Sequence, residues 1–219
     1  MSVDQQISQQ PAYLRPYSRA AHEHGAGFRA LLWASRQTQE LRFDAMLRLS
    51  DPRSLRVLDL GCGCGDLLDF LSSREADPSH YVGIEGVAEL AEIAGRRHAN
   101  ILCADFVAEP WRIREADAEI VYCSGALNTL DDADFHSVVR VAFDAARRGL
   151  VFNFLSSPLL AGETYLRWRY RRDVLSFARS MSRTVDVLED YLEGDCTIAA
   201  WKDFRGGGGG GGRKARADS

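Results

Sequence analysis

Short apolar runs alternate along this chain with stretches whose apolar positions recur every three or four residues. The runs are Leu55 to Leu60, Tyr81 to Glu85, Ile101 to Cys103, Ala118 to Cys123 and Leu150 to Leu155. Each has the length of a strand covered on both faces. Between them the spacing predicts helices from about Asp66 to Glu75, from about Val87 to His98, and from just after Thr129 to Gly149. The last carries Phe135, Val138, Val139, Ala142 and Ala146 on one face. Thr129 and Asp132 are spaced as its capping box. Ahead of the first run the pattern predicts helix from Tyr17, with Phe28, Leu31, Leu32, Leu41, Ala45 and Leu49 apolar, ending at Asp51-Pro52. After the fifth run comes a loop, Pro158 to Gly162. Val174, Leu175, Ala178 and Met181 then mark an amphipathic helix. Thr184 to Tyr191 and Cys196 to Trp201 read as two strands joined by a turn at Glu193-Gly194-Asp195. Such alternation implies an α/β fold: a mainly parallel sheet with helices on both faces, and ligands bound beyond the carboxyl ends of its strands.

The two ends depart from the pattern. Residues 1–16 are polar, contain Pro11 and Pro16, and predict a loose lead-in. Residues 204–219 include the glycine run Gly206 to Gly212 and predict a disordered tail. One domain, residues 17–203, is left to form the core. The composition, 46% hydrophobic and 26% charged, is ordinary for a soluble domain. A formal net charge of −4 offers no global attraction to nucleic acid. No apolar run is long enough to cross a bilayer, and Met1 to Gln10 lacks an apolar signal core, so the expected location is cytoplasmic. Five cysteines scattered over strands and turns suit reduced thiols. Cys62 and Cys64 have no second ligand pair at zinc spacing, and no metal site is expected.

The first run leads into the chain's most informative stretch, Val57-Leu58-Asp59-Leu60-Gly61-Cys62-Gly63-Cys64-Gly65-Asp66. Gly61, Gly63 and Gly65 allow a sharp turn with bare backbone at the start of a helix, where a cofactor edge can lie close. A dinucleotide fingerprint needs a third glycine where Asp66 stands. Asp59 and Asp66 would repel a pyrophosphate. They suit a cationic cofactor without phosphate, and S-adenosylmethionine, with its sulfonium, ammonium and neutral ribose, has that chemistry. Glu85 ends the second strand twenty residues past Gly65, where an acidic residue accepts from ribose hydroxyls.

The same stretch resembles the first motif of class I S-adenosylmethionine-dependent methyltransferases, close to V-L-D-x-G-C-G-x-G. A closer resemblance, to a small bacterial group within that class, runs over residues 17–203. It is carried by His24-Gly25, Trp33-Ala34-Ser35, Gln39-Glu40-Leu41-Arg42-Phe43, Gly65-Asp66-Leu67, Ser124-Gly125-Ala126-Leu127-Asn128, Phe152-Asn153-Phe154-Leu155 and Asp190-Tyr191. Glu85-Gly86-Val87 departs from the usual Asp, polar residue and Pro, but keeps the carboxylate. The resemblance implies a Rossmann-like seven-stranded sheet with an antiparallel last strand, and methyl transfer by in-line displacement. It implies Asp59 for the cofactor ammonium, Asp105 for the adenine amine, and Phe106 for its backbone N–H or ring. Ser124 falls on the cofactor rim, and Arg42, with Gln39 beside it, reaches the cofactor carboxylate.

The acceptor end is read from fewer residues. Asn128 is either a holder of the acceptor or a helix cap. His24 is either a base or a solvent-facing histidine. Tyr191 either lines the acceptor pocket or packs in the sheet. Asp105, Arg42 and Gln39 likewise have plain readings, as a turn cap and as a solvated helix face. Asn153, inside a strand, must be hydrogen-bonded and is placed to brace Ser124 to Asn128. The leading expectation is transfer to an N or O nucleophile of a small molecule. RNA, suggested by the basic aromatic cluster Arg167 to Arg172, or protein is the alternative acceptor. A cofactor-binding regulatory protein without turnover is the non-enzymatic one.

Overall fold

A computed structural model of the chain describes residues 2–203. The tail expected at 204–219 lies outside the described residues. In chain order the elements are α1 (Val3–Gln9), α2 (Arg15–His24), α3 (Arg36–Leu49), β1 (Arg56–Leu60), α4 (Asp66–Ser73), β2 (His80–Glu85), α5 (Ala88–Arg97), β3 (Ile101–Cys103) and α6 (Trp111–Glu115). They continue with β4 (Ile120–Cys123), α7 (Asp132–Ala145), β5 (Gly149–Leu155), α8 (Arg171–Met181), β6 (Thr184–Leu188) and β7 (Asp195–Trp201). The strands form one sheet in the order β3-β2-β1-β4-β5-β7-β6. β7 runs antiparallel to both β5 and β6, and the other strands are parallel. This is the Rossmann-like arrangement expected, with the reversed strand last in the chain.

The two-residue period of the strands divides the core into two layers. Leu58, Leu60, Val121, Cys123, Phe152 and Phe154 point to one face, where α7 packs Phe135, Val138 and Val139 and α8 packs Val174 and Ala178. Val57, Ile120, Tyr122 and Val151 point to the other, against Phe43 and Met46 of α3 and Leu67, Phe70 and Leu71 of α4. Each fully buried Leu or Phe contributes about 1.5–3 kcal/mol. The strand order reverses direction between β1 and β4, and that switch point opens a crevice at their carboxyl ends.

Several local expectations are corrected. The lead-in is helical rather than loose: Ser2 and Gln5 close a capping box over α1, and Ile7 is buried. The helix expected from Tyr17 breaks in two. Gly25 ends α2 at φ +73°, a 3-10 turn covers Phe28–Leu31, Leu32 is left-handed, and Ser35 caps α3 with Thr38. His22 and His24 therefore lie in the last turn of α2, not at the start of a long helix. The cap of α7 is Asp131, accepting from the Asp134 N–H, rather than the Thr129–Asp132 pair. Gly149 begins β5 instead of ending α7. A β-carbon there would stand 2.6 Å from the Ala200 carbonyl oxygen, so the approach of β7 requires the glycine. β6 ends at Leu188, which leaves Tyr191 in the loop before β7.

Candidate active site

The crevice is a cavity of about 790 Å³, within the ~300–1,000 Å³ range of small-molecule sites. Its floor is the carboxyl-end rim of the sheet. Tyr17 and His24 of α2, with Phe28, Leu31, Leu32 and Trp33 after it, form one wall. Leu160, Tyr165 and Leu166, from the segment between β5 and α8, form another.

At the β1–β3 end the wall is backbone and carboxylate. Gly61 and Gly63 border the cavity at φ +73° and +56°. A β-carbon on Gly61 would lie 2.4 Å from Ala126 Cβ, and one on Gly63 2.6 Å from Leu31 Cδ2. Only glycine permits both the backbone angle and the approach. Glu85 is buried at the end of β2, where Oε2 accepts the Gly63 N–H at 2.9 Å and Oε1 the Val87 N–H at 2.8 Å. Burial raises its pKa, and these backbone donors oppose the rise. Asp59 Oδ2 accepts from the Tyr81 hydroxyl at 2.6 Å. Burial pushes the Asp59 carboxyl up to about 7, against the pull of the Tyr81 hydrogen bond and with added repulsion from Glu85 and Asp66. Past β3, Asp105 Oδ1 accepts the N–H groups of Val107 and Ala108 at 3.0 and 3.3 Å, and Oδ2 accepts from Tyr13 at 2.8 Å. Asp105 is thus a turn cap that also borders the cavity, with Phe106 beside it.

The β4–β7 end is built by long-range contacts. Asn153 Oδ1 accepts the Gly125 N–H at 3.0 Å, and its Nδ2 donates to Ser124 Oγ at 3.0 Å. This is the brace expected of it. Asn128 Oδ1 accepts the Leu155 N–H at 3.1 Å, so Asn128 ties the loop after β4 to the end of β5 and caps no helix. Arg42 is buried, not on a solvated helix face. Its Nε donates to Asp195 Oδ2 at 2.6 Å, Nη2 pairs with the same oxygen, and the guanidinium lies 4.7 Å from the Trp33 ring centre. The Tyr191 hydroxyl donates to Asp195 Oδ1 and meets Thr197 Oγ1 at 2.7 Å. Burial raises the Asp195 carboxyl, and Arg42 and Tyr191 hold it down.

Comparison with known proteins places this geometry. A methyltransferase domain family matches residues 57–149. The curated Mycobacterium tuberculosis protein Rv1506c, provisionally named a methyltransferase, is 32% identical over 174 residues, covering 72% of this chain and 98% of that one. The chain belongs to the class I S-adenosylmethionine-dependent methyltransferases. Solved structures share the fold at lower identity. The magnesium protoporphyrin IX methyltransferase of Synechocystis, with bound S-adenosylhomocysteine, superposes with a TM-score of 0.58 at 13% identity, covering 92% of this chain and 93% of that one. A SAM-dependent methyltransferase of Archaeoglobus fulgidus gives 0.61 at 14% identity, covering 77% and 95%.

The cavity of this methyltransferase fits the family's cofactor on two observations of its own. Gly61 and Gly63 put bare backbone on the cavity wall, at angles and approaches that admit no β-carbon. The acidic side chains bordering that end are the carboxyl groups of Asp59, Glu85 and Asp105, which suit a cation with hydroxyl and amino donors. Asp66, expected to share that task, does not border the cavity. It pairs with Arg97 at 2.8 Å and accepts from Gln39 Nε2 at 3.2 Å. Gly65 also turns away, with His98 against its α-carbon. Tyr191 does not border the cavity either, and its hydroxyl is committed to Asp195 and Thr197. Asp59, Gly61, Gly63, Glu85, Asp105, Phe106, Ser124, Asn128, His24, Gln39 and Arg42 all line the one cavity. Sequence reasoning missed Tyr13, Tyr17, Tyr165 and Asp195. Tyr13 lay in the polar lead-in, and the Arg42–Asp195 contact spans 153 positions, so no local pattern marks it.

Proposed function

We propose that the protein transfers a methyl group from S-adenosylmethionine to an N or O nucleophile of a small molecule held at the β4–β7 end of the cavity. The observation that carries this reading is the single cavity with two unlike ends, an acidic glycine-lined one and an apolar one. Bound S-adenosylmethionine supplies a methyl already activated on a sulfonium. The chain's own work is then alignment and charge placement. Glu85 would take the ribose hydroxyls while its backbone hydrogen bonds keep the carboxylate in place. Asp105, steadied by Tyr13, would accept from the adenine amine, with Phe106 against the ring. Gly61 and Gly63 would bring backbone to the methionine portion, and Asp59 would face its ammonium. Gln39 would set the α4 start through Asp66. At the other end Ser124 and Asn128 would orient the acceptor, and the covering segments would exclude water.

The open apolar end favours turnover over a purely regulatory role. RNA draws little support from the basic cluster, because Arg169 pairs with Asp132, Arg171 with Glu189 and Arg172 with Asp173. Calorimetry with S-adenosylhomocysteine and transfer of a labelled methyl group to small-molecule acceptors test the proposal. Binding and transfer are expected. Absence of binding, or label incorporated only into RNA or protein, would overturn it. Among the described residues no helix is long and apolar enough to cross a membrane.

A further inference from the structure

Two buried side chains at the β4–β7 end keep hydrogen-bond donors to spare. Arg42 spends Nε and Nη2 on Asp195, which leaves Nη1 with no hydrogen-bond partner among the described residues. Asn128 spends its carboxamide oxygen on Leu155, which leaves Nδ2 likewise without one. Both side chains line the cavity and are more than nine-tenths buried. Both free atoms are obligate donors.

Their position follows from the sheet. Asp195 pairs with Leu155, the last residue of β5, so it stands on the same rim as the loop after β4. β7 lies three strands from β1, roughly 14 Å at the usual strand spacing. Arg42 is fixed to Asp195 on one side and stacked on Trp33 on the other, and the Trp33 ring stands about 2.9 Å from where a Gly125 β-carbon would be. Its head therefore lies between the start of β7 and the loop after β4. This moves Arg42 from the cofactor carboxylate, where the sequence suggested it, to the acceptor. The surrounding wall is mostly apolar, made of Trp33, Leu155, Leu160, Leu166 and Leu192, with Tyr165 among them.

Resting on the proposed function, we infer that the acceptor is a carboxylic acid with an apolar body, held by Arg42 and Asn128 and methylated on its carboxylate oxygen to an ester. Two buried donors, one of them cationic, match an anion bearing two oxygens. An ammonium would bring donors to donors and a charge that Arg42 repels. A carboxylate is also ionised at neutral pH, with an ordinary pKa of about 4, so no base need act on it. His24 and Glu163, which border the cavity, are exposed on the covering segments rather than set against the rim. In the transfer one carboxylate oxygen forms a bond to the methyl carbon. The carbon–sulfur bond breaks with its electron pair going to sulfur, which becomes a neutral thioether. No proton moves. Asp195 and Tyr191 act as positioning residues, since they hold the guanidinium plane before the acceptor arrives.

The test uses the full chain with methyl-labelled S-adenosylmethionine, offered aryl-alkanoic and fatty acids, their primary amides and amines, and the small-molecule fraction of a bacterial extract. Label transferred to acids and released as methanol by mild alkali is expected. Label that survives alkali, as in an ether or an N-methyl group, would overturn the inference while leaving methyl transfer intact. No transfer to any acceptor would also overturn it, and calorimetry with S-adenosylhomocysteine then shows separately whether the cofactor reading has failed too. Arg42→Lys keeps a cation beside Asp195 and so protects the fold. It is expected to lower kcat/KM about 10- to 100-fold, through the acceptor KM. Affinity for S-adenosylhomocysteine should stay within about twofold of the parent. An equal loss of that affinity would assign Arg42 to the cofactor and sink the inference.

Discussion

The two ends of the cavity are made differently. At the β1–β3 end the wall is main chain at positive φ and three carboxylates, held by backbone N–H groups and by the hydroxyls of Tyr81 and Tyr13. At the β4–β7 end it is mostly apolar side chain with two buried donors, the Arg42 guanidinium fixed by Asp195 of β7 and the Asn128 amide fixed by Leu155 of β5. The first end has almost no side-chain freedom to vary. The second can change its chemistry by exchanging a few residues on covering segments while the sheet stays as it is. A cofactor common to many reactions suits the first construction, and a particular acceptor suits the second.

The sharpest way to break this contrast is to put a side chain where the backbone must come close. Gly61→Val places carbon 2.4 Å from Ala126 Cβ at a φ of +73°. The strain is on the order of 1–3 kcal/mol. Affinity for S-adenosylhomocysteine should fall by more than about 100-fold, with a lower Tm. Calorimetry and thermal melts would check both, and parental affinity would mean that the cofactor does not approach this turn.

Glu85→Gln is gentler. The carboxamide can accept from only one of the Gly63 and Val87 N–H groups and turns an NH₂ toward the other. Losing a charged hydrogen-bonding group costs about 1.5–3 kcal/mol, or roughly 10- to 100-fold in cofactor Kd. An unchanged Kd would remove Glu85 from the ribose.

Asn153→Ala tests the opposite end. It strips the buried Gly125 N–H and Ser124 hydroxyl of their partner. A stability loss of about 1–3 kcal/mol should accompany a kcat drop of roughly tenfold, with cofactor Kd nearly constant. A cofactor Kd that rose as kcat fell would show that the two ends are not separable.

The difference between the ends also explains what could be read from sequence. The strand–glycine–helix stretch from Val57 to Asp66 is contiguous, so its turn, its position on the rim and the class of its ligand were all legible. Glu85 and Asp105 were legible for a related reason, since each follows a strand and the rim collects strand ends. Arg42 was visible as a residue but not as a site. Its meaning depends on Asp195, which looked like part of a hairpin turn. Tyr191 failed the other way: a candidate for chemistry, it serves to hold Asp195. Asp66 looked like a cofactor-facing charge until Arg97 was seen across from it. Helix ends erred wherever one local cap competed with another, as at Asp131 and Gly25.

The carboxylates at the acidic end give the contrast a pH signature. Asp59, pushed up to about 7 by burial, is largely protonated below that pH. Facing a cofactor ammonium favours its ionised form, so binding below pH 7 must first expel the proton. Affinity for S-adenosylhomocysteine should therefore weaken by up to about tenfold for each pH unit below 7 and level off above it. Folding runs the opposite way for this group. Its folded pKa lies above the unfolded value of about 3.9, so its contribution to stability is fully present below that value and is lost as pH rises through 7. Asp59→Asn should flatten the binding profile and remove that part of the stability profile. A profile equally steep in the variant would assign the titration elsewhere.

Tyr13→Phe gives the smallest effect and the finest resolution. The hydroxyl donates to Asp105 Oδ2 at 2.8 Å from a segment that looked like a loose lead-in. Asp105 keeps its two backbone donors on Oδ1, so the carboxylate stays anchored and loses only one neighbour. One hydrogen bond to a charged group, partly replaced by water at this half-buried position, is worth about 0.5–1.5 kcal/mol. Cofactor Kd should rise roughly two- to tenfold. Acceptor KM should not move, because Tyr13 stands at the β1–β3 end. A rise in acceptor KM with constant cofactor Kd would mean that the N-terminal segment serves the acceptor instead, and the boundary between the two ends would have to be drawn closer to β1.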